Sequence, residues 1–240
     1  MFSIKGVLFR NMIDLLHNTF GALHFKLDDL GFHSTMINTD GNISVDITLS
    51  KEDMITYEAP QYPLLYSIPL IILYENLGYI KKRDIVVFKV IDGQKATISV
   101  SNDGYSSVDE YTLTPVPNVE LVFPTYIDGP IQASAPFFQE VCKMMPKGKN
   151  GFITIRGSAG KGIEFERSTS FIVSKQMRVG EWNDESVELQ LEKEMFKRLQ
   201  KIVQFSDTIY IYIGKHQTTP LKFEARFGHV SHISFYIKGS

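Results

Sequence analysis

Apolar and polar residues alternate at several places along the chain, which is the period of a strand with one buried face and one wet face. The clearest run is residues 43–49, where Ile, Val and Leu alternate with Ser, Asp and Thr. Further strand-like runs, separated by turn sequences such as Asn150-Gly151, are residues 85–90, 96–100, 152–156, 163–167, 170–177, 209–213, 221–225 and 232–237. The pattern predicts a protein built mainly of antiparallel sheet.

Four segments instead place apolar residues at helical spacing. They are residues 7–19, 68–77, 136–145 and 191–204. Each half of the chain therefore has the order helix, strands around a glycine-led hairpin, helix and strand hairpin. Gly31 and Gly162, each ahead of a predicted strand, are 131 residues apart. Asp84 and Asp207, each after a predicted helix, are 123 residues apart, and both spacings are close to half the chain, which indicates an internal duplication.

A proline-punctuated segment separates the two halves. Pro115, Pro117 and Pro124 stand between Thr114 and Thr125, and they disfavour both a helix and a central strand. We therefore predict an N-terminal domain over residues 1–113, an extended connector over residues 114–130 and a C-terminal domain over residues 131–240.

Three stretches are more specific than this pattern. Residues 220–230 read Pro-Leu-Lys-Phe-Glu-Ala-Arg-Phe-Gly-His-Val, and Ser-Phe-Tyr-Ile follows at 234–237. Residues 119–124 read Val-Glu-Leu-Val-Phe-Pro, and the chain opens with Met1-Phe2 and places Met36 ahead of a strand within residues 31–49. These stretches resemble the closing strands, the connector and the first hairpin of the proliferating cell nuclear antigen (PCNA) family of sliding clamps. The other residues match in pattern rather than identity, as in a divergent, for example viral, member.

The resemblance implies an α+β clamp fold with two similar domains, each with antiparallel sheets outside and two helices on an inner face. Three identical subunits would form a ring, head to tail, around double-stranded DNA, without reading its sequence. The implied role is to tether a DNA polymerase and other replication or repair clients that carry a PCNA-interacting peptide, after a clamp loader has placed the ring. The protein would have no enzymatic activity and no cofactor, and would be intracellular, in the nucleus or in a viral cytoplasmic replication factory.

Sliding on DNA requires basic side chains on the inner helix faces, because phosphate neutralisation does not depend on base sequence. The side chains that we predict to contact DNA are Arg10, Lys81, Lys82, Arg83, Lys143, Lys147, Lys149, Lys193, Lys197, Arg198 and Lys201. Most of them belong to the third and fourth helices or follow them directly. The second helix contains Glu75 and no basic residue, so the first half is the poorer lining.

Two protein-binding surfaces follow from the resemblance. The groove for client peptides is expected at Met36, Leu121, Phe123, Pro124, Pro220 and Tyr236. The alternative for Leu121 and Phe123 is packing of the connector onto its own sheet. Subunits are expected to pair edge strand 105–113 with edge strand 170–177 of the next subunit. The interface residues named by this prediction are Tyr105, Tyr111, Phe171, Val173 and Met177.

Composition limits the other possibilities. The 25 basic and 27 acidic side chains give a net charge of −2, so any contact with DNA must come from local patches. The single cysteine, Cys142, excludes an internal disulfide and a multi-cysteine zinc site. His229 and His232 have no conventional metal-ligand spacing, and the glycine-rich residues 157–162 lack the spacing of a phosphate-binding loop. We expect no metal site.

No run of 18 apolar residues or signal peptide is present, so no membrane association is expected.

Three alternatives remain open at this point. The first is a clamp-like processivity factor or checkpoint clamp subunit that works as a monomer, dimer or mixed ring. The second is an enzyme with an unrecognised site, and the third is a structural β-rich protein without a role on DNA. The thin basic lining of the first half favours the first alternative most.

Overall fold

The structure is a computed structural model of the 240-residue chain that describes residues 1–102, 104–118, 121–126, 129–144, 152–158, 162–169, 172–180, 187–214 and 218–239. At residues 158, 168–169, 172–176 and 193–195 it describes the backbone alone. The chain divides into two compact units. The N-terminal unit comprises Met1–Thr39, Val45–Leu121 and Phe227–Ile233, and the C-terminal unit comprises Asp40–Ser44, Val122–Arg226 and Ser234–Ser240. The domain boundaries given above stay a prediction.

The described part of the first half of the chain contains ten strands, two α-helices and a short 3-10 helix. In chain order they are β1 (Phe2–Lys5), α1 (Gly6–Leu16), β2 (Ala22–Leu27), β3 (Gly31–Ile37), β4 (Ile43–Ser50), the 3-10 helix Lys51–Asp53, β5 (Thr56–Tyr57), β6 (Leu64–Pro69), α2 (Leu70–Asn76), β7 (Ile85–Asp92), β8 (Lys95–Asn102), β9 (Tyr105–Thr112) and β10 (Thr114–Pro115).

The described part of the second half repeats this order. Its elements are β11 (Ile131–Ser134), α3 (Ala135–Lys143), β12 (Phe152–Ser158), β13 (Gly162–Thr169), β14 (Ile172–Val179), β15 (Val187–Glu192), α4 (Lys193–Leu199), the 3-10 helix Gln200–Gln204, β16 (Thr208–Tyr212), β17 (Leu221–Phe227) and β18 (Ser231–Ile237).

Strand pairing shows the duplication directly. Without the two-residue strands β5 and β10, the first half has the strand orders β1-β7-β8-β9 and β6-β2-β3-β4. The second half has the matching orders β11-β16-β17-β18 and β15-β12-β13-β14. In each half a helix follows the first strand of the first set, and a second helix follows the first strand of the second set. The prediction of an α+β fold with two similar, antiparallel halves is confirmed.

The two pairs of residues that indicated the duplication occupy equivalent places. Gly31 and Gly162 each begin a strand with positive φ, 144° and 79°. A Cβ atom at either position would collide with a backbone oxygen of the strand alongside, that of Leu49 or of Gly180. Glycine is therefore required twice, for the same reason.

Asp84 and Asp207 repeat a second contact. The Asp84 carbonyl accepts a hydrogen bond from the Gly6 N–H at 2.7 Å, and the Asp207 carbonyl accepts one from the Ala135 N–H at 2.8 Å. In each case the donor is the first residue of a helix, whose N–H has no partner within that helix. The bond fixes the start of α1 against β7 and the start of α3 against β16.

Each unit has its own aromatic core. In the N-terminal unit Phe2 of β1 stacks on Phe88 of β7 with ring centroids 5.2 Å apart, and Phe25 of β2 lies 5.4 Å from Phe88. These residues come from the two different sheets, so the core lies between them. In the C-terminal unit Phe196 of α4 lies 6.1 Å from Phe138 of α3 and 5.9 Å from Phe223 of β17. All six rings are buried.

The predicted fourth helix differs most from the observed element. Residues 191 and 192 belong to β15, in which Val187, Leu189 and Leu191 are buried and alternate with exposed polar residues. The α-helix ends at Leu199 and continues as the 3-10 helix Gln200–Gln204. The alternation of period two therefore continues up to the helix start, although Leu191 also fits a helical spacing.

A carboxylate closes the turn between β17 and β18 within the N-terminal unit. Asp53 accepts hydrogen bonds from the N–H groups of His229, Val230 and Ser231 at 2.5, 3.0 and 2.9 Å, and from the Ser231 hydroxyl at 2.7 Å. Gly228 has φ 63°, and a Cβ atom there would collide with this carboxylate. Burial acts to raise the pKa of Asp53, but the hydrogen bonds from His229, Ser231 and Val230 outweigh it and lower the pKa to about 2.

We predict that Asp53→Asn destabilises the protein by about 1–3 kcal/mol at pH 7, because charged hydrogen bonds to three N–H groups are lost. The folded-state pKa of Asp53, about 2, lies below the usual aspartate value of 3.8, so the stabilisation is complete above about pH 4 and disappears as the pH falls towards 2. Urea unfolding of both proteins between pH 7 and pH 2 measures the difference. The control is Glu52→Gln at the exposed neighbouring position, and a difference that persists at pH 2 would contradict the assignment.

Candidate functional site

In the C-terminal unit, the predicted DNA-contacting residues that fall in described elements lie on α3, α4 and the 3-10 helix that follows α4. Lys197 of α4 is exposed, and Arg198 and Lys201 are partly buried. Because the helix tightens to a 3-10 form after Leu199, Lys201 is turned further from Lys197 than in a continuous α-helix. Lys197 and Lys201 therefore do not form the straight row that a continuous α-helix would give. The side chain of Lys193 lies outside the described residues, as do Lys147 and Lys149.

Lys143, in the last turn of α3, has a partner on its own helix. Its ammonium group lies 2.8 Å from the Glu140 carboxylate, and both side chains are about half exposed. An exposed pair of this kind is weak. A phosphate group competing for Lys143 therefore displaces a contact of little stability.

The predicted DNA-contacting residues of the N-terminal unit are Arg10 on α1 and three residues of the segment between α2 and β7. Arg10 of α1 donates from Nη1 to the Ile80 carbonyl at 2.8 Å. Lys81, Lys82 and Arg83 follow directly and are all exposed. The structure therefore brings the four predicted basic residues of this unit close together along the chain between α2 and β7.

Asp84 accepts a hydrogen bond from this basic segment, a role beyond the duplication that its spacing from Asp207 indicates. Its buried carboxylate accepts hydrogen bonds from the Lys81 N–H at 2.8 Å, the Asn102 amide at 2.8 Å and the Tyr105 hydroxyl at 2.5 Å. These bonds, first that from Lys81 and then those from Tyr105 and Asn102, lower the pKa of Asp84. The sequence signal for this role is an aspartate directly after three basic residues.

The connector carries a second candidate surface, within the C-terminal unit. Phe123 stacks on Tyr236 of β18 with ring centroids 4.2 Å apart and planes 20° apart. Tyr126 donates its hydroxyl hydrogen to the Pro220 carbonyl at 2.5 Å. Burial raises the pKa of Tyr126, which keeps this donor protonated. Phe123 and Tyr126 of the connector thus contact Tyr236 and Pro220. Three of the predicted groove residues take part in these two contacts.

An ion cluster supports this aromatic surface from β17. Glu224 is buried and lies between Lys222, whose ammonium is 2.5 Å away, and Arg226. Ser234 also donates to it, at 3.1 Å. Burial acts to raise the pKa of Glu224, but Lys222 and Arg226 outweigh it and lower the pKa to about 2. Lys222 also lies 5.7 Å from the centre of the Tyr236 ring, which links the cluster to the groove residues.

The other predicted groove residues have mixed exposure. Met36 on β3 is buried, and Leu121 and Pro124 are partly exposed. Met36 and Leu121 belong to the N-terminal unit, and Pro124 belongs to the C-terminal unit. Val122, between Leu121 and Phe123, is 95% exposed. An apolar side chain this exposed on an extended segment marks a surface that a partner can cover.

The predicted interface strands lie at sheet edges. β9 pairs with β8, β14 pairs with β13, and neither has a second neighbour among the residues that the structure describes. Tyr111 is buried, the Tyr105 hydroxyl is engaged with Asp84, and Met177 is partly exposed. Phe171 and the side chain of Val173 lie outside the described residues. Both strand edges present backbone N–H and C=O groups with which another strand can pair.

Neither a metal centre nor a membrane span is found in the described parts of the chain. There, no three His, Cys, Asp or Glu side chains are grouped so that they could hold a metal ion. None of the described helices is long and apolar enough to cross a membrane.

Comparison with solved structures identifies the fold. The chain is similar to a chain of the PCNA2–PCNA3 complex from Sulfolobus tokodaii, with a TM-score of 0.87 and 14% sequence identity, over 99% of this chain and 98% of that chain. No protein-family model matches the sequence, and no curated protein matches it. The likeness confirms the predicted fold: this chain has the PCNA-type clamp fold over almost its whole length.

Proposed function

We propose that this protein is a DNA sliding clamp that encircles duplex DNA and tethers a DNA polymerase and other replication or repair clients to it. The observation that carries the proposal is the clamp fold, which covers 99% of the chain. The proposed role is mechanical and requires no catalytic residue or cofactor. Its place is inside the cell, where DNA is replicated, in the nucleus or in a viral factory, and a clamp loader would open the ring.

Ring closure is supported by the edges of β9 and β14. Antiparallel pairing of these strands between neighbouring copies would satisfy the free backbone groups of both. The contact joins two different surfaces, so it generates a closed ring only at a fixed number of copies. We propose three, each contributing two units. Residues 105–113 and 170–177 remain the proposed interface.

Contact with DNA is assigned mainly to the C-terminal unit. Lys197, Arg198 and Lys201 would reach phosphates from α4 and the 3-10 helix, with Lys143 from α3. Arg10 and Lys81 to Arg83 would add a smaller contribution. If about two phosphates are neutralised at once, affinity falls about tenfold between 50 and 200 mM salt. Such weak contact permits sliding.

Client binding is assigned to the connector surface, with Val122, Phe123 and Tyr236 at its centre. Clients would insert apolar and aromatic side chains beside the connector, as short peptides do in grooves of this kind. The exposure of Val122 and the stack of Phe123 on Tyr236 support this role.

A mixed ring is the second candidate. The similar solved structure is a complex of two different PCNA chains. A chain of this fold can therefore be one member of a heteromeric clamp, and the mass of the purified chain alone separates the two candidates.

We predict that the purified protein sediments as a trimer at micromolar concentration and that Val108→Lys shifts it towards the monomer. Val108 is 65% exposed on β9, and a charge there disfavours strand pairing. Val230→Lys, at a comparably exposed valine of the β17–β18 turn, is the control and should leave the trimer intact. A wild-type monomer would exclude the homotrimer and favour the mixed ring.

We predict that the double variant Lys197→Glu and Lys201→Glu lowers affinity for a DNA duplex by about tenfold at 50 mM salt, since about two phosphate contacts are lost. Fluorescence anisotropy over a salt series measures both the affinity and the slope. The double variant Lys89→Glu and Lys238→Glu, at two exposed lysines, controls for the change in net charge. An equal loss in both double variants would mean that DNA responds to total charge and not to α4.

We predict that Phe123→Ala weakens binding of a peptide with the PCNA-interacting motif by about tenfold or more, because aromatic anchors carry about 2 kcal/mol each in such interfaces. Isothermal titration calorimetry measures the affinity. Phe152→Ala, at an exposed phenylalanine of β12, is the matched control. Unchanged binding in both Phe123→Ala and Tyr236→Ala would assign these rings to packing of the connector alone.

A further inference from the structure

One face of strands β16 and β17 points away from helices α3 and α4 of the C-terminal unit. Phe223 of β17 is buried, and its ring centroid lies 5.6 Å from that of Phe138 on α3 and 5.9 Å from that of Phe196 on α4. Because side chains alternate along a strand, the residues on either side of Phe223 lie on the opposite face. With their register partners on β16, the residues of this outer β16–β17 face are Tyr210, Tyr212, Lys222, Glu224 and Arg226. Its two cations therefore belong to a different surface from the helix lysines proposed to contact DNA.

Arg226 is held in one orientation on this face. Its guanidinium carbon lies 4.2 Å from the centre of the Tyr210 ring, and its Nη2 atom donates a hydrogen bond to the Tyr212 hydroxyl at 2.7 Å. Its Nε atom donates to the buried carboxylate of Glu224. The side chain is nevertheless 53% exposed. Its exposed edge carries further N–H donors, so it can bind an outside group with little further loss of side-chain freedom.

The charge of the outer β16–β17 face favours an anion. The Glu224 carboxylate lies between two cations, Lys222 and Arg226, so these three groups together carry an excess of positive charge. Lys222 is only 16% exposed, and its ammonium group lies 4.6 Å from the centre of the Tyr212 ring. Arg226 is therefore the more accessible cation. A carboxylate suits it, because a guanidinium and a carboxylate are both planar and can share two parallel hydrogen bonds.

This face continues from the proposed client surface. Tyr126 of the connector lies 5.4 Å from Tyr212 between ring centroids, and Lys222 lies 5.7 Å from the centre of the Tyr236 ring. Lys222 and Arg226 are four positions apart on one strand, a distance of about 13 Å, and an extended peptide covers the same distance in about four residues. A client whose aromatic side chains reach Tyr236 can therefore place a residue about four positions away beside Arg226.

We propose that Arg226 is a specificity-determining residue that binds an acidic side chain of the client peptide, about four positions from the aromatic anchors. The inference rests on the proposed client surface and adds to it a preference between clients. The aromatic anchors supply most of the affinity, and the ion pair selects clients with glutamate or aspartate at that position. The ion pair is partly exposed to solvent, so its effect is a few-fold in affinity.

The test uses three fluorescent peptides with the PCNA-interacting motif. They differ only at the positions four residues before and four residues after the aromatic anchors, which carry glutamate, glutamine or lysine. Fluorescence anisotropy at low salt should show that the glutamate peptide binds about fivefold more tightly than the glutamine peptide, and that the lysine peptide binds no better than the glutamine peptide. Arg226→Gln should abolish this preference. Arg226→Lys should leave a preference of about twofold, because an ammonium group cannot form two parallel bonds to a carboxylate.

Arg156→Gln is the matched control. Arg156 is also bonded to a buried glutamate, Glu166, and its side chain is 40% exposed, but it lies on β12, outside the outer β16–β17 face. This variant should keep the preference for the glutamate peptide, and circular dichroism verifies that all variants fold. An equal loss of preference in Arg156→Gln would show a response to net charge. If Arg226→Gln weakened the glutamate and glutamine peptides equally, Arg226 would only support the groove.

Two further results would overturn the inference. Equal affinity of the unaltered protein for the glutamate and glutamine peptides would do so and leave the client surface intact, whereas failure to bind any of the three peptides would overturn the client surface as well. A single-stranded oligonucleotide that bound the unaltered protein more tightly than the glutamate peptide, and lost this binding in Arg226→Gln, would assign Arg226 to nucleic acid.

Discussion

In both units the first N–H group of a helix donates a hydrogen bond to the carbonyl of an aspartate that directly precedes a neighbouring strand. The bond from Gly6 to Asp84 and that from Ala135 to Asp207 set where α1 and α3 leave their strands, and hence which helix face is buried. In the N-terminal unit the approach is closer, since a Cβ atom on Gly6 would lie 2.9 Å from the Asp84 oxygen. The Asp84 carboxylate in turn accepts hydrogen bonds from Lys81, Asn102 and Tyr105. One residue thus connects the helix, the basic segment and strand β9.

The two units use the same topology for surfaces of different chemistry. In the C-terminal unit, α4 buries Phe196 and Leu199 and exposes Lys197. In the N-terminal unit, α2 buries Leu70 and Leu73 and exposes isoleucine and tyrosine. The fold depends only on the buried face, so the outer face is free to change after a duplication. The two units therefore present different outer faces, and the proposed DNA contact lies mainly in the C-terminal unit.

The sequence allowed the fold to be predicted where a residue type has a geometric cause. Strict alternation predicted β4 because one face of that strand is buried. Gly31 and Gly162 revealed the duplication because each meets a backbone oxygen that no side chain could accommodate. The prediction was wrong at residues 191 and 192, where a strand runs directly into a helix and Leu191 fits both periods. The change to a 3-10 helix after Leu199 also has no strong local signal.

The candidate site was less predictable, because contacts between distant residues decide it. The stack of Phe123 on Tyr236 joins residues 113 positions apart. The family resemblance placed both residues in one groove, but the stack itself was not predicted. The closure of the β17–β18 turn by Asp53 was not predicted, since it joins residues more than 170 positions apart. Asp84 was noticed only as a repeat, although three cations precede it. Side-chain chemistry alone does not show which carboxylate will be buried.

Because the proposed DNA contact is weak, strand pairing between subunits would have to keep the protein on DNA. The few lysines of this proposal would neutralise about two phosphates, and at physiological salt such contact would not hold a protein on DNA. A closed ring needs no strong contact, because it leaves only by opening. Opening requires breaking the backbone hydrogen bonds that β9 and β14 would form between neighbouring copies, together with their side-chain packing. In the proposed ring, the stability of that seam, rather than affinity for phosphate, would then determine how long the protein stays on DNA, and the weak helix charges would keep it mobile while it is there.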